Sequence, residues 1–200
     1  MLEQRIQQHF IDSADLKYQA AQALSQPITA AVQAIWACVT NGAKVLACGS
    51  GPSAAQAQQL AAFCVTGFER ERPELAALAL VPDALWLAAA TTGAGADIAA
   101  LARQVRALGQ AGDLLLAITI AGNEPAMLEA VQAAHERDMT VVALTGRDGG
   151  ALATLLRETD VQICVPHDRA ARVREVHALV LHCLCDGVDA QLLGEQENPI

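Results

Sequence analysis

A short apolar strand, a glycine-bearing loop and a helix follow one another three times in this chain. The strands are predicted at 44–48, 113–119 and 140–145, and each runs directly into its loop. Continuous apolar strands that alternate with helices are typical of a parallel sheet covered on both faces. The pattern therefore predicts an α/β domain whose loops gather at the carboxyl edge of the sheet, where such folds bind ligands.

Two further strands and a long final helix complete this domain. Strands are predicted at 76–80 and 161–165, which makes five in all, and the helix is predicted at about 169–193. The second half of that helix is apolar almost all round, and a single α/β domain rarely buries a helix so completely. We therefore expect one domain over 43–200 that assembles into a homo-oligomer.

The first 42 residues are predicted to be helical. Apolar residues at helical spacing indicate a helix over 2–24. Ser25 suits the cap of a second helix and Pro27 its first turn, and this helix is predicted to stop at Gly42. We expect a helical hairpin at 1–42 that belongs to the same folded unit.

Composition and charge exclude several classes of protein. A hydrophobic content of 53% is too high for a disordered chain. The formal net charge of −9 disfavours direct binding to nucleic acid, which needs cations for the phosphates. The chain opens on a charged amphipathic segment, its apolar runs are too short for a bilayer, and its six cysteines are scattered through apolar stretches. We therefore expect a cytoplasmic protein with reduced cysteines and no membrane contact.

The loop at 49–54 has the pattern G-x-G-x-x-A, which occurs in dinucleotide-binding sites. Pro52 has no N–H to donate to a phosphate, and the acid expected at the end of the next strand is poorly placed. The pattern therefore favours a tight turn between strand and helix over NAD binding.

The loop at 119–124 is a second candidate for anion binding, because it precedes a helix. Glu124 would repel an incoming phosphate, and its charge also suits a plain helix start. The hydroxyls of Ser53 and Thr119 remain available to an anion.

Six segments taken together resemble the SIS domain family, and within it the phosphoheptose isomerases. These segments are 44–51, 71–73, 112–116, 121–123, 142–150 and 172–177. The resemblance implies a flavodoxin-like five-stranded parallel sheet with helices on both faces, an N-terminal helical pair and a homotetramer.

The resemblance also implies a zinc ion, held by a His and a Glu three residues apart on the helix after the first loop and by a Gln and a His eight residues apart on the last helix. The Glu is also the catalytic base. The matching residues here are Gln59, Ala62, Arg174 and His182. A carboxamide is a poor ligand, a methyl group is none, and a guanidinium opposes a divalent cation. We therefore expect no metal, no cofactor and no catalysis.

Several residues at the predicted sheet edge still suit a sugar phosphate. This vestigial pocket would consist of Ser50, Ser53, Thr119, Asn123, Arg174 and His182. The serine-rich phosphate loop that the resemblance implies is replaced here by residues 119–124, so the ligand is expected to bind without turnover.

Within the same branch, four segments resemble the DnaA initiator-associating proteins: 68–73, 103–109, 137–146 and 183–186. That resemblance implies a homotetramer that binds the N-terminal domain of DnaA and promotes its assembly at the replication origin. Leu192 and Leu193 match the positions that it uses for assembly and for DnaA contact. The leading hypothesis is thus a non-catalytic adaptor. The alternatives are a sedoheptulose-7-phosphate isomerase and a regulator that binds a sugar phosphate without catalysis.

Overall fold

The structure, a computed structural model, describes residues 1–81 and 98–194. Five parallel strands form one sheet in the order β2-β1-β3-β4-β5. The strands are β1 (Val45–Gly49), β2 (Ala77–Ala79), β3 (Leu114–Ile118), β4 (Thr140–Gly146) and β5 (Val161–Val165). This is the flavodoxin-like order, in which the chain reverses its direction of growth between β1 and β3. The predicted fold class is confirmed.

Helices cover both faces of this sheet. They are α1 (Leu2–Thr40), α2 (Ser53–Thr66), α3 (Ala99–Leu108), α4 (Pro125–Glu136), α5 (Gly150–Leu155) and α6 (Ala170–Leu193). Alternate residues of β1 point to opposite faces, so Val45 packs with α1, α2 and α6 while Leu46 packs with α3, α4 and α5. Both faces are therefore dry, as the continuous apolar strands require.

The predicted N-terminal hairpin is wrong, because residues 1–42 contain a single helix, α1, with Pro27 inside it. The proline lacks one N–H, and its cost within a helix is about 3 kcal/mol. Buried side chains nevertheless continue in one helical phase across it: Leu16, Ala20, Leu24, Ala31, Val32, Ile35 and Cys38. Their packing against the sheet and α6 outweighs the local cost, so the helix does not break.

A buried ion pair fixes α2 against α6. The Arg72 Nε atom lies 2.5 Å from Asp189 Oδ1, and both side chains are only 1% exposed. The same guanidinium donates to the carbonyls of Phe63 and Cys64 at 2.9 and 2.8 Å. Arg72 therefore satisfies the last turn of α2 and sets its distance from α6.

Helix α6 is the one helix among the described residues that is long and apolar enough to cross a membrane by composition. Its side chains Val173, Leu181 and Leu184 belong to the core beneath the sheet. Such burial is typical of a core helix in a water-soluble protein. The six cysteines are free, and burial raises the pKa of the Cys48 thiol to about 12, which keeps it neutral.

Candidate functional site at the carboxyl edge of the sheet

Three loops meet where β1, β3 and β4 end. Gly49 stands in register with Ile118, and the Ser50 N–H donates to the Ile118 carbonyl at 3.1 Å. On the other side of β3, the Thr119 N–H donates to the Leu144 carbonyl at 2.9 Å. The strand order therefore brings the two predicted anion loops side by side at the point where such sheets bind ligands.

The loop after β1 turns so tightly that it needs glycine. A Cβ atom on Gly49 would lie 2.4 Å from the Ser53 carbonyl oxygen. This turn places Ser53 at the start of α2, where its side chain is fully buried and its Oγ atom has no hydrogen-bond partner among the described residues. A buried hydroxyl left without a partner is uncommon in folded proteins and is a candidate ligand contact.

The loop after β3 is already occupied by one of its own side chains. The Thr119 hydroxyl donates to the Glu124 carboxylate at 2.5 Å and accepts the Gly122 N–H at 3.1 Å. The Asn123 N–H donates to the same carboxylate oxygen at 3.1 Å. The carboxylate therefore takes the hydrogen bonds that an anionic ligand of this loop would need.

A polar cleft of about 470 Å³ adjoins this loop, and the sequence analysis missed it. Its lining residues are Asn123, Arg147, Asp148, Pro166, His167 and Asp168. Arg147 has a φ of 59°, a left-handed conformation that is uncommon for residues other than glycine. The signal available in the sequence was the third glycine-bearing loop, which follows β4.

The other part of the site lies between α2 and α6, and we call it the α2–α6 seam. Five residues define it: Gln56, Gln59 and Phe63 on α2, and Arg174 and His182 on α6. The Gln56 side-chain amide donates to the Arg174 carbonyl at 2.9 Å. The Phe63 ring centroid lies 6.0 Å from that of His182. The two contacts show that α2 and α6 face each other along this line.

Ala62 is not part of the seam, although the sequence analysis placed it there. It is exposed, whereas Phe63, one residue later, is the α2 residue that meets His182. Phe63 is four residues after Gln59, and residues four apart lie on one helix face. The spacing of three used in the sequence analysis therefore selects a side chain that points to solvent.

The side chains of the seam do not fit a zinc ion. Zinc in proteins takes thiolate, imidazole or carboxylate ligands. Along this line the seam carries a carboxamide at Gln59 and a guanidinium at Arg174, and the Phe63 ring packs against His182. Over residues 1–81 and 98–194, no three His, Cys, Asp or Glu side chains are grouped so that they could hold a metal ion.

His182 also lies against a second aromatic ring. Its centroid is 5.3 Å from that of Phe68, so the imidazole packs beside two phenyl rings while remaining half-buried.

His177, one turn after Arg174, is buried against the sheet. Its Nε2 atom lies 2.9 Å from the Thr145 carbonyl, so Nε2–H is the donor, and Nδ1 has no partner among the described residues. Burial lowers the pKa of His177 to about 4, and the Thr145 hydrogen bond only partly opposes this. The imidazole is therefore neutral at pH 7.

The structure separates the six residues of the predicted pocket into two groups. Ser50, Ser53, Thr119 and Asn123 lie on the loops, whereas Arg174 and His182 lie on the seam. Near the end of α6, Leu192 packs against the core and Leu193 is 41% exposed. A contact role for these two leucines stays a prediction.

Known proteins resemble this chain along its whole length. The family model described as the SIS domain matches residues 8–146. A phosphoheptose isomerase from Methylibium petroleiphilum is 61% identical over 198 residues, which is 98% of each chain. One from Azoarcus sp. is 51% identical over 196 residues, covering 96% of this chain and 98% of the relative. The phosphoheptose isomerase structure from Neisseria gonorrhoeae superposes with a TM-score of 0.88 at 45% identity, covering 95% of this chain and 100% of the other.

These relatives overturn the leading hypothesis of the sequence analysis. A non-catalytic adaptor for DnaA that acts in replication initiation is contradicted, because proteins matched from end to end carry the name of an isomerase. The prediction that the chain is not an enzyme is wrong on the same finding. The loss of zinc ligands from one helix face was too narrow a basis for assigning a different function.

Proposed function

This chain belongs to the SIS domain family, and from that premise we propose that it is a phosphoheptose isomerase acting on sedoheptulose 7-phosphate in the cytoplasm. One observation carries the proposal: 61% identity to a phosphoheptose isomerase over 98% of both chains. The alignment spans the loops and helices of the candidate site as well as the core.

The proposed reaction is a rearrangement within one substrate. A proton moves from C1 of the ketose to C2 of the aldose, and a second proton passes from one oxygen to its neighbour. No electrons enter or leave the substrate, so the protein has three tasks: to bind the phosphate, to carry the proton, and to stabilise the negative charge that develops on the carbonyl oxygen.

We assign the phosphate to the loops after β1 and β3. Ser53 offers a buried hydroxyl without a partner among the described residues, and Thr119 offers a second hydroxyl on the loop of the neighbouring strand. The Glu124 carboxylate now holds Thr119, so it must turn away before a phosphate accepts those hydrogen bonds. This competition predicts weak binding of simple anions.

We assign the reacting carbons to the α2–α6 seam. The phosphate of a heptose 7-phosphate is several bonds from C1 and C2, so the two ends need separate subsites. The seam provides an imidazole at His182, the side-chain type most often used for proton transfer, and a positive charge at Arg174. Seam and loops meet where α2 starts at Ser53.

The homotetramer expected from the sequence remains part of the proposal. The outer half of α1 leaves large apolar side chains in water: Leu2, Ile6, Phe10 and Tyr18 are 49–81% exposed. A mostly apolar groove of about 350 Å³ runs between α1 and α6 beside them. Exposed apolar area of this kind is typical of a subunit interface, and another copy of the chain is the proposed occupant.

The decisive experiment follows the substrate by proton NMR in D₂O. Incubation of the purified chain with sedoheptulose 7-phosphate is expected to produce the aldose with deuterium at C2, because the carried proton exchanges with solvent. His182→Ala is expected to lower kcat by a factor of about 100 or more. His9→Gln serves as the matched control, because His9 lies on α1 outside the seam and glutamine can still accept the hydrogen bond that Arg172 donates to its Nδ1 atom.

Two results would contradict the proposal. A folded wild-type chain that leaves the ketose unchanged and incorporates no deuterium is not an isomerase of this substrate. Equal rates for wild type and His182→Ala would remove the assignment of the proton transfer to the seam.

A further inference from the structure

We infer that the α2–α6 seam acts without a divalent metal ion and that the guanidinium of Arg174 is its fixed positive charge. The inference concerns the chemistry of the proposed isomerase site. Its metal-binding part can be tested whether or not the chain turns over a heptose phosphate.

The side chains along the seam lack the ligands that a metal ion needs. A metal bound between α2 and α6 would need ligands from both helices. Along the seam α2 carries Gln59 and Phe63, four residues apart, and α6 carries Arg174 and His182, and the Phe63 and His182 rings are in contact. Only the imidazole is a good ligand for zinc. One ligand does not retain a metal ion.

Packing around His182 carries the second step. Its ring lies against Phe63 at 6.0 Å and Phe68 at 5.3 Å, and the two phenylalanines pack edge to face at 5.0 Å. This aromatic cluster fills the side of the imidazole that faces α2. A metal ion bound there would need polar ligands where the phenyl rings now stand.

The charge of Arg174 carries the third step. Its backbone carbonyl accepts the Gln56 amide, while its guanidinium has no hydrogen-bond or ion-pair partner among the described residues. A half-buried cation without a carboxylate partner repels a divalent ion and attracts an anion. It also provides N–H donors with the planar geometry that suits an oxyanion.

The proposed reaction is compatible with this replacement. Isomerisation requires charge stabilisation on a carbonyl oxygen, and the oxidation state of the enzyme does not change. A guanidinium supplies both positive charge and hydrogen bonds to a developing oxyanion, whereas a Lewis-acidic metal ion would supply positive charge alone. In this account Arg174 contacts the substrate oxygen and His182 carries the proton.

The first test counts zinc on the full chain by mass spectrometry after loading with ZnCl₂ and dialysis. His182→Ala serves as the comparison, because cysteines elsewhere can retain zinc that has nothing to do with the seam. Wild type and His182→Ala are expected to hold the same amount. Stoichiometric zinc that is lost in His182→Ala would overturn the inference.

The second test installs ligands where the structure places them. The variant Gln59→His, Phe63→Glu, Arg174→Gln offers imidazole, carboxylate and carboxamide around His182, and it is expected to gain one zinc per chain. Adding His182→Ala is expected to abolish that gain. If the triple variant is folded by circular dichroism and binds no extra zinc, the three native side chains are not what excludes the metal, and the inference fails.

The third test uses activity and rests on the proposed function. Turnover by wild type is expected to be unchanged by EDTA, while Arg174→Gln lowers kcat about 100-fold or more and Arg174→Lys recovers at least part of it. Turnover that disappears in EDTA and returns with zinc would overturn the inference. Absence of turnover under every condition counts against the proposed function, and the zinc measurements then decide the inference alone.

Discussion

The loop after β3 and the α2–α6 seam belong to one candidate site, but their polar groups are satisfied to very different degrees. In the loop, the Thr119 hydroxyl both donates and accepts a hydrogen bond, and the Glu124 carboxylate accepts two. Where α2 meets α6, by contrast, Gln56 Oε1 is buried without a partner among the described residues, and so is the Ser53 hydroxyl at the start of α2.

This difference indicates where a ligand can bind at little cost in free energy and where it must compete with hydrogen bonds that the protein already makes. A buried polar atom without a partner has already lost its water, so a ligand that reaches it recovers hydrogen bonding at little further cost. A loop whose polar groups already hydrogen-bond to one another must first break those hydrogen bonds before it can bind a ligand. Binding free energy is therefore expected to come mainly from the polar atoms of α2, and selectivity among anions from the loop.

The largest expected effect concerns the ion pair that fixes the spacing of the seam. Arg72→Met leaves Asp189 as an unpaired buried charge and frees the Phe63 and Cys64 carbonyls, so the free energy of unfolding is expected to fall by about 3–5 kcal/mol. The measurement is the urea midpoint, converted with the slope m.

Arg106→Met is the matched control for that change. Arg106 pairs with Glu136 at 2.7 Å, but these side chains are 41% and 54% exposed. Solvent screens exposed pairs of this kind, so the loss is expected to be much smaller than for Arg72→Met. If Arg72→Met and Arg106→Met lower the free energy of unfolding by the same amount, the Arg72–Asp189 pair does not fix α2 against α6.

The second prediction concerns acid stability and His177. Burial lowers the pKa of His177 to about 4 from an ordinary value of 6.5. Between pH 4 and pH 6.5 this histidine is therefore protonated in the unfolded chain and neutral in the folded chain. Stability is therefore complete above pH 6.5 and falls as pH drops toward 4, by about 3 kcal/mol from this group.

His177→Gln checks that prediction, because glutamine retains a donor for the Thr145 carbonyl and does not titrate. The difference in unfolding free energy between variant and wild type is expected to shift in favour of the variant from pH 6.5 to pH 4. Parallel curves for the two proteins would show that His177 is not the group responsible.

The third prediction concerns the carboxylate within the loop. Glu124→Gln removes a negative charge beside Thr119, so the affinity for phosphate and for sedoheptulose 7-phosphate is expected to rise about tenfold by calorimetry. Glu158→Gln makes the same change at the amino edge of the sheet, before β5, and is expected to have no effect. Unchanged affinity in Glu124→Gln would place the phosphate elsewhere.

The smallest expected effect separates a satisfied hydroxyl from an unsatisfied one. Ser53→Ala removes a buried hydroxyl without a partner and is expected to stabilise the free protein by about 1 kcal/mol. Thr119→Val breaks two hydrogen bonds and is expected to destabilise it by a similar amount. Thermal melts without ligand measure the stability change of each variant. Changes of the same sign would contradict the claim that Thr119 is satisfied and Ser53 is not.

The sheet was predictable because its signals are local. Each strand is a run of apolar residues, three of them followed by a glycine-bearing loop, and all five strands are as predicted to within one residue at each end. Pro27 was ambiguous for a physical reason: proline suits the first turn of a helix and is tolerated inside one when tertiary packing continues across it.

The site was less predictable, because it depends on which side chains face one another across two helices. A spacing of three selected Ala62, whereas the contact of His182 with Phe63 is visible only once α2 and α6 are packed. The behaviour of the loop after β3 was predictable only in part. The sequence indicates that Glu124 repels a phosphate, but it does not indicate that the Thr119 hydroxyl donates a hydrogen bond to the Glu124 carboxylate. Function was inferred wrongly from missing ligands, because an absent ligand set does not specify what replaces it.

The central claim is that the seam performs isomerisation with an arginine in the place of a metal. It is tested most directly by the rate of proton exchange at C1 of sedoheptulose 7-phosphate, measured on chain stripped of metal and held in EDTA. We predict exchange at the full wild-type rate that is lost in Arg174→Gln. Exchange that requires added zinc, or that persists undiminished without the guanidinium, would contradict the account.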